Sequence, residues 1–439
     1  MSDNTIKIGL IGVGTVGTGV VRILQDNADD IERRLGTRVQ LKRAVVMDLD
    51  RQRDAAVAPG LLTLDPTVVL DDPEIAIVIE LIGGIEPARS FILRAIENGK
   101  HVVTANKALL AAHGDEIFAA AARRGVDIHF EGAVAGGIPI IRSLREALAS
   151  DRVEAVYGII NGTCNFILSA MAGEGAAYGD VLARAQALGY AESDPTLDVG
   201  GHDAAHKLAL LAALSFGTRI HLEDIHTEGI TRIEPVDLAF AKEFGYRVKH
   251  LAIAKSDGAS IEARVHPTMV PTSWLLAGVD GVFNAVYVKS HALGPLLFYG
   301  KGAGMMPTGS AVVADVIDLC RNLRLGSAGR VQGLAWGDRL RAVPIKPIGE
   351  ITCRYYLRFT VADRPGVLAR IAGVLGDKGI SIEQMVQRAR EEASAVDVVM
   401  LTHDARESAI QAALSWIDTL EFVAQPTRVI RIEDARDHR

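Results

Sequence analysis

Two patterns of hydrophobic and polar residues follow one another repeatedly along the first third of the chain. Short apolar runs predict buried strands, and longer segments with apolar residues every three or four positions predict helices. The predicted strands cover residues 6–11, 39–47, 75–82, 101–104 and 126–130. Strands that alternate with helices of this length favour a parallel sheet with helices on both faces, which is an α/β fold.

A glycine-rich turn joins the first predicted strand to the first predicted helix. It reads Gly12-Val13-Gly14-Thr15-Val16-Gly17, which is the pattern G-x-G-x-x-G. The glycines permit a tight turn, and the free N–H groups of the following helix favour a pyrophosphate. The sequence therefore predicts a Rossmann-type dinucleotide-binding domain over residues 1–135. The predicted cofactor contacts in this turn are Gly12, Gly14, Thr15, Val16 and Gly17.

Further cofactor contacts are predicted at the carboxyl ends of the other strands, because ligands of such sheets bind there. A second glycine-rich loop, Gly300 to Pro307, also offers backbone amides to a ligand, although a packing turn explains it equally well. These further predicted contacts are Ile82, Gly83, Thr104, Lys107, Gly302 and Gly304.

The segment after the second predicted strand bears on the type of dinucleotide. Asp48 and Asp50 offer carboxylates, which bind the ribose hydroxyls of NAD, whereas Arg51 and Arg53 offer guanidinium groups suited to the 2′-phosphate of NADP. The residues alone leave the choice between NAD and NADP open.

An acidic loop followed by an apolar helix carries the densest candidate chemistry of the chain. Glu192 precedes Pro195, which disfavours helix before it, and Asp198 follows in the same loop. Asp203 and Lys207 are four residues apart on the next predicted helix, so their side chains share one face. An exposed ion pair is the ordinary explanation of such spacing. The apolar helix and the acidic loop before it favour a catalytic site.

The rest of the chain shows two further domains and a connection. Residues 136–322 mix strands such as 153–160 and 251–254 with long helices, which predicts an α+β substrate-binding and dimerisation domain. Residues 323–350 show little periodicity and form a predicted connection. Residues 351–433 show a βαββαβ pattern, which is typical of a small regulatory or dimerisation module.

Two other constellations suggest different chemistry. His202 and His206 lie four residues apart on a helix, as in the H-E-x-x-H zinc motif, but Asp203 stands where that motif has glutamate. Cys164 near a helix start suggests a thiolate nucleophile, as in aldehyde-oxidising dehydrogenases, or a small buried residue in a turn.

Composition narrows the class of protein and its partners. The 439 residues carry a net charge of −7 without a run of Lys or Arg, which predicts no binding of nucleic acid. The three cysteines are scattered, and no apolar run reaches the length of a membrane span. The N-terminus lacks the pattern of a signal peptide. We expect a cytoplasmic protein with small-molecule partners and further copies of itself, as a homodimer or homotetramer.

Six motifs in order resemble the homoserine dehydrogenase family. They are GVGTVG, TANKALL, EGAVAGGIPI, NGTCNFIL, GYAESDPTLDVGGHDAAHKL and GKGAGMMPTGSAVVAD, between about residues 5 and 320. Residues 352–431, with DRPGVLARIAGVLGDKGISI, resemble an ACT domain. The resemblance is thus to monofunctional homoserine dehydrogenases with a C-terminal ACT domain. Cys164 departs from the family, which more often has threonine there.

The resemblance implies a reaction, a cofactor and roles for residues. The reaction is the reversible NAD(P)H-dependent reduction of L-aspartate 4-semialdehyde to L-homoserine, on the route to threonine, methionine and isoleucine. We expect NADP as the cofactor, with NAD as the alternative. We expect threonine as an allosteric effector at the ACT domain, with another effector or a purely structural ACT domain as the alternatives. By the same resemblance, Lys207 donates the proton, Asp203 lies beside it and Lys107 contacts cofactor and substrate. The residues implied to hold the substrate are Glu192, Asp198 and Asp203. Members of the family also bind a monovalent cation, often sodium, and the resemblance implies that Glu131 and the carbonyls of Val134, Gly136 and Ile138 hold it.

The residue types suit this chemistry. Hydride addition to an aldehyde leaves negative charge on oxygen, and a lysine ammonium group supplies a positive charge or a proton there. A Cys164-dependent aldehyde-oxidising dehydrogenase and a non-catalytic nucleotide and amino-acid sensor remain as alternatives.

Overall fold

The computed structural model describes residues 5–54, 57–388 and 395–433. Residues 1–4, 55 and 56 of the predicted N-terminal domain and residues 389–394 of the predicted ACT domain lie outside this part of the chain. Two compact units are present. The first comprises the chain up to Gly162, His202–Ile225 and Val282–Val343, and the second comprises Thr163–Gly201, His226–Gly281 and the chain from Pro344 onward.

The strands, in chain order, are β1 (Thr5–Ile11), β2 (Arg38–Val45), β3 (Leu62–Thr63), β4 (Ile75–Glu80), β5 (His101–Thr104), β6 (Ile128–His129), β7 (Val153–Ile159), β8 (His226–Thr227), β9 (Tyr246–Ser256), β10 (Ile261–Pro271), β11 (Phe283–Ser290), β12 (Gly294–Lys301), β13 (Thr352–Ala362), β14 (Ile382–Arg388), β15 (Ala395–Thr402), β16 (Ala405–Arg406) and β17 (Val423–Ile432).

The α-helices, in chain order, are α1 (Thr15–Asp26), α2 (Ala28–Leu35), α3 (Thr67–Leu70), α4 (Ala88–Glu97), α5 (Lys107–Arg124), α6 (Ile140–Arg142), α7 (Gly162–Glu174), α8 (Tyr178–Ala187), α9 (Thr196–Val199), α10 (His202–Phe216), α11 (Pro235–Glu243), α12 (Met305–Leu325), α13 (Val367–Asp377) and α14 (Glu407–Ile417). None of the described helices is both long enough and apolar enough to cross a membrane.

A six-stranded parallel sheet forms the centre of the first unit. Its strand order is β3-β2-β1-β4-β5-β6, and every neighbouring pair is parallel. This is the order of a Rossmann fold, which reverses between β1 and β4. Apolar cores lie on both faces of the sheet, and the central strands β1 and β4 contribute buried residues to both. The predicted Rossmann-type α/β fold is therefore confirmed.

The last long helix of the first unit, α12, packs directly on α1. A Cβ atom at Gly19 would lie 2.2 Å from the carbonyl oxygen of Met305, so only glycine allows this approach. Val312 and Leu319 of α12 are buried in the same core as β1. This packing explains why the compact units are discontinuous in sequence, whereas the predicted domains are continuous. The boundaries at 135, 322 and 350 stay predictions.

Mostly antiparallel strands build the second unit. The described strands β9, β10, β17, β13, β15 and β14 lie in this order, and β17 pairs parallel with β10. The C-terminal segment follows the predicted βαββαβ order, with the short β16 added, and its helices cover an apolar core. The predicted ACT fold is confirmed.

Candidate active site

Asp203 and Lys207 form a close ion pair on α10. The lysine Nζ lies 2.6 Å from Asp203 Oδ2 and donates a second hydrogen bond to the carbonyl oxygen of Ile160 at 2.7 Å. The side chains of Asp203 and Lys207 are 6% and 12% exposed. The pair is therefore a buried one, unlike the exposed ion pairs that this spacing usually gives.

Two more side chains of the first unit reach Asp203. The Nζ of Lys107, at the start of α5, lies 3.3 Å from Asp203 Oδ1. The Asn161 amide donates to Oδ2 at 2.9 Å. The structure thus brings together the three predicted residues Lys107, Asp203 and Lys207, and it adds Asn161, which the sequence analysis missed.

Electrostatics keep Asp203 ionised between the two lysines. Burial acts to raise the pKa of its carboxyl, but the charges of Lys207 and Lys107 and the hydrogen bonds outweigh burial and hold that pKa well below its usual range. A buried carboxylate held in this way fixes both ammonium groups. The arrangement is suited to presenting a positive charge or a proton to an oxygen atom.

The predicted substrate ligands Glu192 and Asp198 belong to the second unit. The Glu192 side chain is exposed, and Asp198 is half-buried in the short helix α9. The prediction of a loop at Asp198 was wrong, because Pro195 suits the start of a helix and the Asp194 carboxylate accepts the Thr196 N–H at 3.1 Å.

The start of α7 is hydrogen-bonded to this acidic segment. The Thr163 hydroxyl donates to the carbonyl oxygen of Tyr190 at 2.6 Å. The Cys164 thiol donates to the carbonyl oxygen of Asp198 at 3.2 Å, and Cys164 is 0% exposed. A thiol with no exposed surface gives the nucleophile interpretation no support. The described residues include no cluster of three or more His, Cys, Asp or Glu side chains able to hold a metal ion, so His202 and His206 gain no third ligand.

The glycine-rich turn before α1 has the geometry that a dinucleotide requires. Gly12 has a φ of +100°, and a Cβ at Gly17 would lie 2.2 Å from the Gly12 carbonyl oxygen. A Cβ at Gly14 would meet no atom within 4 Å, so the turn opens to free space. Gly14 is the N-cap residue of α1 and has no side chain to accept a hydrogen bond from the first turn. The N–H groups of Thr15, Val16 and Gly17 can therefore donate to a phosphate.

A buried carboxylate organises the ends of β4 and β5. Glu80 is 0% exposed, and its Oε1 accepts the N–H groups of Ile82 at 2.8 Å and Gly83 at 3.2 Å. Its Oε2 accepts the Thr104 hydroxyl at 2.7 Å, and the Asn106 amide donates to the carbonyl oxygen of Gly84. Glu80 and Asn106 therefore shape the loops predicted to contact the cofactor. Thr104 is fully buried, and its cofactor contact stays a prediction.

The second glycine-rich loop combines packing with an uncapped helix start. A Cβ at Gly302 would lie 2.0 Å from the Asn284 side chain, so this glycine is required by packing. Gly304, with a φ of +127°, precedes the 21-residue helix α12 and gives it no side-chain cap. The packing explanation therefore holds for Gly302, and Gly304 keeps the geometry suited to a ligand.

The segment implied to hold a monovalent cation surrounds a buried carboxylate. Glu131 accepts the N–H groups of Ile141 at 2.9 Å and Arg142 at 2.8 Å. Burial, together with the nearby Asp315, raises the pKa of Glu131 to about 7. Gly136 has a φ of +52°, and the Ile138 carbonyl accepts the Ile140 N–H at 2.8 Å. A buried carboxylate with too little compensating charge fits a hard cation, and the carbonyl ligands, including that of Val134, stay a prediction.

Comparisons with known proteins agree with this geometry. Three family models match the chain. The homoserine dehydrogenase model matches residues 139–317, the model of the homoserine dehydrogenase NAD-binding domain matches residues 12–131, and the ACT domain model matches residues 355–415. A homoserine dehydrogenase of Neisseria gonorrhoeae is 46% identical over 98% of this chain and 99% of its own length. The chain belongs to the homoserine dehydrogenase family.

Solved structures of homoserine dehydrogenases show the same fold. The enzyme from Thiobacillus denitrificans is 51% identical, with a TM-score of 0.93, and 98% of each chain is covered. A hyperthermophilic archaeal homoserine dehydrogenase, solved in complex with NADPH, is 25% identical with a TM-score of 0.61, over 72% of this chain and 97% of its own. The predicted family and enzyme class, an NAD(P)-dependent oxidoreductase acting on a CH–OH group, are confirmed.

Proposed function

We propose that this homoserine dehydrogenase reduces L-aspartate 4-semialdehyde reversibly to L-homoserine, with Lys207 as the proton donor. The observation that supports this most directly is the contact of Lys207 and Lys107 with the buried carboxylate of Asp203. Lys207 and Lys107 bring two ammonium groups to one carboxylate in the unit that also carries the glycine-rich turn. Such a group stabilises the negative charge that develops on a carbonyl oxygen.

In this mechanism the bound nicotinamide supplies the hydride to the aldehyde carbon. Lys207 donates a proton from its ammonium group to the carbonyl oxygen, and Asp203 holds that ammonium group in place through their hydrogen bond. Lys107, which pairs with the same carboxylate, contributes a second positive charge near the carbonyl oxygen. In the direction of homoserine oxidation, Lys207 accepts the proton of the hydroxyl group. The carboxylates of Glu192 and Asp198 bind the ammonium group of the amino-acid substrate.

NADP is the proposed cofactor, with NAD as the alternative. The Asp48 carboxylate oxygen Oδ1 accepts the N–H groups of Asp50 at 2.8 Å and Arg51 at 3.2 Å, so it forms part of its own turn. The Arg51 side chain is exposed in the loop that follows β2 and is suited to a 2′-phosphate. The N–H groups at the starts of α1 and α12 and the loops after β4 and β5 bind the rest of the molecule.

The remaining assignments concern the cation, the effector and the cell. Glu131 and the carbonyls of Val134, Gly136 and Ile138 hold a sodium ion. Threonine binds at the ACT domain, near the exposed turn that Asp363 begins, and inhibits. The protein acts in the cytoplasm as a homodimer or homotetramer, on the route to threonine, methionine and isoleucine, without nucleic-acid or membrane partners. No observation favours the Cys164-dependent enzyme or the non-catalytic sensor over this function.

The decisive experiment measures the initial rate of homoserine-dependent reduction of NADP and of NAD, each with and without threonine. Sodium is present throughout. The variant Lys207→Ala should lower kcat by about 10² to 10⁴, as expected for loss of a general acid. Cys164→Ser should retain turnover, because this mechanism needs no thiolate. Wild-type turnover with neither cofactor, or a near-normal kcat in folded Lys207→Ala protein, would refute the proposal.

A further inference from the structure

A cavity of about 140 Å³ lies within the second unit, away from the residues assigned above. It is bounded by α7, α11 and the start of β9, and its apolar wall includes Leu168, Leu238 and Val248. One water molecule needs ~10–15 Å³ of cavity volume of this kind, so the space is large enough for a small molecule. Gly173 also lines it, and a Cβ there would meet no atom within 4 Å.

A buried lysine forms part of the lining. Lys249 is 2% exposed, and its ammonium group donates to the Val279 carbonyl oxygen at 2.5 Å and to Asp280 Oδ1 at 2.8 Å. An ammonium group has three N–H donors, so these two acceptors leave one donor for a ligand. Burial lowers the pKa of Lys249, and the Asp280 carboxylate opposes that shift.

Two more cations line the cavity, against a single carboxylate. Lys242 on α11 makes no ion pair with any residue in the described part of the chain. Arg247 is 49% exposed, and its guanidinium lies 3.8 Å from Asp280 Oδ2. Because Asp280 already pairs with the buried Lys249, the positive charges of Lys242 and Arg247 lack full compensation. The lining thus attracts anions.

We propose that this cavity, lined by Lys242, Arg247, Lys249 and Asp280, is a binding site for a compact dianion carrying phosphate or carboxylate groups. Lys242 and Arg247 contact the anionic groups, and Lys249 supplies its third N–H at the base. The Asp280 carboxylate holds Lys249 in place, and the apolar wall takes the carbon atoms of an organic dianion.

Occupation of this site acts on the acidic segment through α7. The C-terminal half of α7 borders the cavity through Ser169 and Gly173. Its first turn donates from Thr163 to the Tyr190 carbonyl and from Cys164 to the Asp198 carbonyl. We expect a change in the KM for homoserine when the site is filled. That effect depends on the proposed function, whereas binding itself does not.

The test is calorimetric titration of the full chain with inorganic phosphate and with succinate, at constant ionic strength set by sodium chloride. Saturable binding of at least one dianion is expected, and the identity of the tighter probe distinguishes a phosphate ligand from a dicarboxylate. Lys242→Glu and Arg247→Glu should each weaken it about tenfold or more, which is ~1.4 kcal/mol. The variant Gly173→Leu should block binding sterically, while it leaves the charged residues of the cavity in place.

The control is Lys378→Glu, which makes the same charge change on an exposed residue at the end of α13. It should bind like the wild type. No saturable binding of either probe, or an equal loss in the Lys378→Glu control, overturns the proposal. So does unchanged binding in all three cavity variants. Homoserine oxidation is measured on the same samples. Activity without dianion binding would refute this site alone, whereas binding without activity would refute the proposed function alone.

Discussion

The Asn161 amide and the Lys207 ammonium donate to the same carboxylate oxygen, Asp203 Oδ2, at 2.9 and 2.6 Å. Asn161 is 4% exposed and follows Ile160, whose carbonyl oxygen accepts the other hydrogen bond of Lys207. One short segment therefore fixes the carboxylate and the lysine at once. Asn161 is a positioning residue, because it acts on the proposed proton donor through its partners.

Asn161→Ala should lower kcat about tenfold or more, because a hydrogen bond to a charged group contributes ~1.5–3 kcal/mol. The affinity for NADP should change little, since Asn161 is not among the proposed cofactor contacts. Asn161→Asp should be more damaging, because it places a second carboxylate against Asp203. Steady-state kinetics with separate kcat and KM values measure both effects.

The matched control for these variants is Asn98→Ala. It also removes a side-chain amide, which donates hydrogen bonds to the Leu70 carbonyl and to Asp71. Its kcat should stay near the wild-type value. If the two alanine variants lost kcat to the same extent, the positioning role of Asn161 would be untenable.

Much of the fold was predictable because the central Rossmann strands β1 and β4 are largely apolar. The strand predicted at residues 251–254 is in fact β9, which spans eleven residues, and no strand was predicted at β10. Lys249 in β9 and Arg264 in β10 are buried and paired with acids, so they interrupt the apolar pattern without leaving the core. Periodicity does not recognise a buried charge whose partner is distant in sequence.

The same limit applies to the site. The spacing of Asp203 and Lys207 was readable because it lies within one helix. Asn161 is 42 residues from Asp203, and Glu80 is 24 residues from Thr104, so only the folded chain shows these contacts. A glutamate that ends an otherwise apolar strand was the one available signal for Glu80.

Arg51→Ala should raise the KM for NADP about tenfold, which is ~1.4 kcal/mol, and should leave the KM for NAD nearly unchanged. The reason is that the exposed guanidinium would contact the 2′-phosphate, which NAD lacks. Arg34→Ala on α2 removes an exposed arginine of the same unit and serves as the control. Equal losses with NADP and NAD would show that Arg51 does not select the cofactor.

Glu131→Gln should abolish the dependence of activity on sodium, since it removes the charged ligand of the proposed cation. Rates are measured as sodium chloride replaces choline chloride at constant ionic strength. The wild type should be activated and the variant should respond little. A wild type that is indifferent to the exchange would count against the cation site, whatever the variant does.

Asp363→Ala should weaken inhibition by threonine about tenfold while the uninhibited kcat stays unchanged, because Asp363 lies in the exposed turn before α13. Deleting the ACT domain is a poorer test, since β17 pairs with β10 and its loss would expose that strand. Asp377→Ala, at the other end of α13, is the control. Inhibition curves that superimpose for the wild type and Asp363→Ala would exclude this turn as the threonine site.

A buried ion pair fastens the C-terminal segment within the second unit. Glu433 is 2% exposed and accepts hydrogen bonds from Arg264 in β10 and from Lys255 in β9. Burial acts to raise the pKa of Glu433, but the charges of Lys255 and Arg264 outweigh burial and lower that pKa to about 2. Because the folded pKa lies below the unfolded value of ~4.3, Glu433 adds stability above pH ~4.3, and this is lost as the pH falls towards 2.

Glu433→Gln should therefore lower the free energy of unfolding at pH 7 by about 3–5 kcal/mol, because it leaves Arg264 buried without its counter-charge. The double variant Arg264→Met/Glu433→Met should recover part of the loss, since paired apolar side chains need no counter-charge. Denaturant unfolding at pH 7 and at pH ~3, which lies between the folded and unfolded pKa values of Glu433, measures the difference, and it should shrink at the lower pH. A constant difference across that range would mean that the ionised carboxylate of Glu433 is not what stabilises the segment.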